Sequence, residues 1–140
     1  MINTAVRMEQ MTSRADSGWR NRLVRLLREN QAENSRIEFK RELQLSDVER
    51  KAEFVRDIIS LANSEGEIPR EAGLLIVGVK DGKFVDTSSQ HLDGATFGQI
   101  IDALVFPRLA FEHIKVPISP DIRVDVIEVR PSIKHIYFVL

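Results

Sequence analysis

The amino-acid sequence predicts a mixed α/β (α+β) domain, a mixed central sheet with about three helices packed on it. Three observations carry this. Apolar residues recur at helical spacing in three separate segments. They alternate residue by residue in two others. One short unbroken apolar run, GLLIVGV at residues 73–79, has the form of a strand covered on both faces. A chain of 140 residues is long enough for one domain with a real core.

Residues 1–15 are polar and without period, so a flexible start is expected, with the domain spanning residues 16–140. From Ser17 the pattern turns helical. Trp19, Leu23, Leu26 and Leu27 fall on one stripe, several arginines fall off it, and the pattern is lost near Asn30. Arg36 to Leu43 alternates, Ile37 and Phe39 against Arg36, Glu38 and Lys40, which reads as a strand with one wet face. Ser46-Asp-Val-Glu49 has the form of a capping box with Ser46 as N-cap. Behind it Val48, Ala52, Val55, Ile59 and Ala62 share a helical face that Phe54, Ile58 and Leu61 widen. That helix is expected to end between Asn63 and Gly66, and Pro69 keeps the next residues out of a helix.

After the apolar run, Asp81-Gly82 is a turn pair, and Phe84-Val85 begins a return strand. Thr87 to Gly94 is a polar loop. Phe97, Ile100, Ile101 and Leu104 mark a third helix, stopped by Pro107. The last third is extended: Ile122, Val124 and Val126 alternate with Arg123 and Asp125, and the closing IYFVL is strand-like.

Composition removes several classes of function. There is no cysteine, so disulfides and thiolate zinc sites are excluded, in keeping with a reducing cytoplasm. No apolar run approaches the roughly 20 residues of a membrane span, and the first residues lack the apolar core of a signal peptide. Net charge is −1, which argues against a generally basic protein. The charge is nonetheless segregated. Residues 14–28 hold Arg14, Arg20, Arg22, Arg25 and Arg28 against Asp16 alone, while residues 42–71 hold eight acids and four bases. A local basic surface on a neutral molecule is one reading, and a solvated helix face is the other.

The chemistry-bearing residues gather around the first strand. Glu38 and Lys40 share one strand face, roughly 6–7 Å apart. Glu33 precedes the strand, and Asp81 follows the apolar run, where α/β sheets commonly place functional groups. If strand 36–42 pairs with strand 73–79, three carboxylates and an ammonium meet at one sheet edge. Like charges so close oppose ionisation, and a hard divalent cation, Mg²⁺ or Mn²⁺, would relieve them. Lys40 would then position a water or steady charge on a phosphate. The same pattern also suits a strand with a charged outer face, and Asp-Gly needs only a turn. Arg36, Arg41, Lys80 and Lys83 are the bases nearest these acids and the candidates for phosphate contacts. His91, His113 and His135 are dispersed and read as structural or surface residues. Trp19 lies on the apolar stripe and reads as core. Gly73, Gly78 and Gly82 make no phosphate loop.

The runs ENSRIEFKREL, DIISLANSEG and GLLIVGVKDGKFV, in that order, resemble Schlafen-type Alba-like nucleic-acid-binding domains over about residues 22–138. The resemblance implies that Glu33, Glu38 and Asp81 take the places of the three catalytic carboxylates of nuclease-active Schlafens, with Lys40 as the adjoining lysine. It implies a Mg²⁺- or Mn²⁺-dependent endoribonuclease acting on structured RNA such as transfer RNA, or, as in many bacterial relatives, a DNA-binding module of a transcriptional regulator. Here EGEIPREAG separates Gly66 from Gly73, where the family usually runs through a Gly-Gly pair, and the chain ends at Leu140 without a basic, serine-rich extension. Animal Schlafens pair two such lobes around RNA, so a homodimer is expected to make a comparable groove and to cover the IYFVL edge.

Overall fold

In the computed structural model, which describes residues 18–29, 36–63, 72–131 and 137–139, helix α1 (residues 18–28) leads into strand β1 (Ile37–Lys40). Helix α2 (Val48–Ala62) and the buried strand β2 (Gly73–Val77) follow. A two-residue ladder, β3 (Val79–Lys80) with β4 (Lys83–Phe84), makes a small hairpin. Helix α3 (Gly94–Leu104) runs into β5 (Val105–Phe106), and the long strands β6 (Phe111–Ser119) and β7 (Ile122–Val129) form the second hairpin. The last element, β8 (Phe138–Val139), pairs with β5.

The central sheet has the order β1-β2-β7-β6. β1 runs parallel to β2, with Glu38 opposite Leu75 and Lys40 opposite Val77, so the expected pairing of these two segments is present. The other two ladders are antiparallel. Both faces of the sheet are covered. On one, Leu23 of α1 joins Ile37, Leu74, Ile76, Val116, Val124 and Val126, with Trp19, Leu26 and Leu27 packed alongside. On the other, Phe54, Val55, Ile58 and Leu61 of α2 and Phe97 and Ile101 of α3 meet Leu75, Val77, Ile127 and Val129. Each such side chain, fully buried, contributes about 1.5–3 kcal/mol.

Several expectations change in detail. The first strand is four residues, and the face bearing Glu38 and Lys40 is only partly wet, since it turns toward α2. The N-cap of α2 is Asp47, not Ser46: its carboxylate accepts from the Arg50 N–H at 2.8 Å. A carboxylate there also gains from the helix dipole, an advantage a serine hydroxyl lacks. Val48 is 82 % exposed and Ala52 is exposed as well, so the buried stripe is centred on Phe54, Ile58 and Leu61. Strand β2 stops at Val77, short of the expected Val79, because Gly78 takes φ +114°. Asp125, placed on the polar side of the β7 alternation, is fully buried, because Thr87 and His113 close over its carboxylate.

Candidate functional site

β1 lies at the end of the sheet, with β2 on one side. Its alternation sends Ile37 and Phe39 into the α1-side core and Glu38 and Lys40 toward α2. There the Lys40 ammonium is 3.1 Å from the Asp57 carboxylate and 3.9 Å from that of Glu38. Partial burial pushes the Lys40 ammonium down, but the hydrogen bond and charge of Asp57, with Glu38 and Glu53 nearby, hold it above the ordinary lysine value. Asp57 can do this because Phe54 and Ile58, its neighbours on α2, anchor the helix to the sheet. A pocket of about 50 Å³ opens beside the pair, lined by Lys40, Gln44, Arg50, Glu53 and Asp57 among others. Sequence reasoning missed Asp57. The signal was present in DIISLANSEG, where an aspartate borders the buried stripe, but it needed the parallel β1–β2 register to be read.

Asp81 sits at the same end of the sheet. The Gly78 N–H donates to the Lys40 carbonyl at 2.7 Å, and the β3–β4 turn hangs from that junction. Asp81 and Gly82 both have positive φ, 52° and 73°, as a two-residue hairpin turn requires. Asp81 is exposed there. Lys80 and Lys83 face each other across the ladder, both exposed, an arrangement of like charges that an anion would relieve. Arg41 is exposed just past β1, and Arg36 is half-buried just before it. Glu33 lies outside the described residues. Among the described residues, no three His, Asp or Glu side chains stand close enough to hold a metal ion. The donors fit Mg²⁺ or Mn²⁺ in kind, being carboxylate oxygens. In place, Glu38 and Asp81 form no three-acid group with other described residues, so the fit turns on Glu33.

A second polar cluster escaped the sequence altogether. The buried Asp125 carboxylate accepts from Thr87 Oγ1 at 2.5 Å and meets His113 Nε2 at 2.6 Å. His113 also packs edge-on against Phe97 of α3, 5.0 Å between ring centres. Of the other two histidines, His91 is exposed and His135 lies outside the described residues. Trp19 is half-buried on α1, with Arg22 stacked 5.0 Å above its ring. No helix among the described residues is long and apolar enough to cross a membrane.

These features define a mixed α/β domain whose charged residues collect where β1 and the β3–β4 turn meet. The family model described as Schlafen, AlbA_2 matches residues 33–139, and the chain belongs to that family, a class of domain associated with nucleic-acid binding. A comparison with curated proteins returned no match. The match includes Glu33, Glu38, Lys40 and Asp81 and leaves α1 outside.

Proposed function

We propose that this chain is a nucleic-acid-binding domain that cleaves structured RNA, such as transfer RNA, in a metal-dependent reaction in the cytoplasm. The observation that supports it is the grouping of Glu38 and Lys40 on one face at the sheet end from which the Asp81 turn hangs. In this reading Glu33, Glu38 and Asp81 hold Mg²⁺ or Mn²⁺, which when bound polarises a phosphate and acidifies a water. Lys40, held in place by Asp57, is presented at the scissile phosphate. Arg36, Arg41, Lys80 and Lys83 contact flanking phosphates. A second copy of the chain would set two such edges side by side, and sedimentation velocity reads whether the chain is a dimer.

The test is cleavage of transfer RNA with Mn²⁺ or Mg²⁺ by the wild-type chain and by Glu38→Ala. Cleavage only by the wild type is expected; equal cleavage by both removes the proposal. A second reading, a DNA-binding module without catalysis, is favoured by one observation: Lys40 is already bonded to Asp57 and so partly withdrawn from a phosphate. It predicts binding that weakens steeply with salt and no response to metal.

A further inference from the structure

We propose that α1 is a phosphate-backbone contact surface for nucleic acid, separate from the sheet-end acids and outside residues 33–139, which the family model matches. This rests on the nucleic-acid reading above and names a site for it. Four arginines, Arg20, Arg22, Arg25 and Arg28, all stand exposed on this helix of residues 18–28. The opposite stripe is used up: Leu23 is 1 % exposed, and Trp19, Leu26 and Leu27 pack with it against the sheet. Among the described residues, no carboxylate pairs with any of the four arginines. No described carboxylate offsets their mutual repulsion.

Charge and chemistry select the occupant. The four cations are all guanidiniums, planar forks suited to phosphate oxygens in a way that lysine is not. Arg22, Arg25 and Arg28 recur every third residue and span about 9 Å of helix. Three such cations within about two turns present a band of positive charge to a phosphate backbone. Arg20 is fixed to the sheet by its Nε–H, which donates to the Ile118 carbonyl at 2.8 Å. That bond leaves its terminal nitrogens without a partner among the described residues. An anionic membrane is the weaker partner: a helix that lies on lipid needs a free apolar face, and here that face is buried in the core.

The experiment follows binding of a labelled RNA hairpin and a labelled DNA duplex by fluorescence anisotropy across a salt series. The full chain is compared with the triple variant Arg22→Gln, Arg25→Gln, Arg28→Gln. Glutamine keeps helix propensity, and the side chains are exposed, so folding is expected to persist. Arg25→Gln alone serves if the triple variant does not fold. A charge-matched triple variant, Arg56→Gln, Arg108→Gln, Arg130→Gln, removes the same charge from exposed positions elsewhere. The α1 triple variant is expected to lower the slope of log affinity against log salt by about 2–3, and the single variant by about 1. Affinity at moderate salt should fall roughly 10- to 100-fold in the triple variant, while the charge-matched control keeps the wild-type slope. A wild-type slope in the α1 variants overturns the inference. So does loss of binding to phosphatidylserine vesicles with nucleic-acid binding intact, which would make the helix a lipid surface. Failure of the wild-type chain to bind either probe is a different result, because it removes the nucleic-acid reading itself.

Discussion

Asp125 is fully buried and still favours its charged form. Burial alone would push its carboxyl up. The hydrogen bonds from His113 and Thr87, with the charges of His113 and Arg123, hold it below the ordinary aspartate value. A carboxylate whose folded value is depressed stabilises the fold above its unfolded value, near 4, and loses that contribution as pH falls through the folded value. Asp125→Asn should therefore cost about 2–4 kcal/mol at neutral pH, because Thr87 and His113 meet different carboxylate oxygens and the amide puts an NH₂ in place of one of them. It should also flatten the acid limb of stability, which urea unfolding across a pH series measures. Gly78 sets a second limit at this scale. At φ +114°, a Cβ would lie 2.7 Å from Val124 Cγ1 and 2.8 Å from the Val85 carbonyl oxygen, with β-sheet on one side and loop on the other. Gly78→Ala should lower stability by more than about 2 kcal/mol, seen as a drop in melting temperature.

At the scale of elements, α2 is tied to the sheet by apolar packing beneath and by the Lys40–Asp57 pair at its rim. Both partners are partly shielded, at 27 % and 21 % side-chain exposure, so the pair is expected to couple by about 0.5–1 kcal/mol in a cycle of Lys40→Met and Asp57→Asn. Lys40 is raised on folding. Its contribution is therefore present below the unfolded lysine value and lost as pH rises through the folded one. Repeating the cycle in alkaline buffer should erase the coupling. The same elements show what a sequence can carry. GLLIVGV announces a covered strand because no polar residue interrupts it, and Phe97, Ile100, Ile101 and Leu104 announce α3 by spacing alone. Glu38 and Lys40 are readable as neighbours because strand alternation is local. Their partner Asp57 is not, since a helix rim and a strand edge 17 residues apart meet only through the β1–β2–β7–β6 order. Asp125 fails for the same reason: Arg123, Asp125 and the apolar residues between them look like an outward-facing alternation until Thr87 and His113 are placed over the Asp125 carboxylate. Ser46 and Asp47 are both good caps, and the choice between them depends on where the backbone turns helical.

For the whole molecule, the family match begins at residue 33, yet one face of the sheet is closed by a helix that precedes it. Leu74, Ile76, Val116, Val124 and Val126 are each no more than 2 % exposed, and Leu23 of α1 packs among them. Without α1 these side chains would form a contiguous apolar patch of the size that drives association. If α1 were an accessory, Leu23→Ala would leave the unfolding of the rest unchanged. If it is part of the core, the cavity should destabilise the whole domain by about 2–5 kcal/mol within a single cooperative transition. Denaturant unfolding followed in parallel by Trp19 fluorescence and far-ultraviolet circular dichroism separates the two. Trp19 sits on α1, whereas circular dichroism is dominated by the rest of the chain, so coincident curves place the helix inside the cooperative unit. A chain begun at residue 30 should then aggregate or bind a hydrophobic dye. The arginine surface would in that case be carried by the same helix that completes the core, fixed rigidly relative to the sheet-end acids on which the cleavage reading depends.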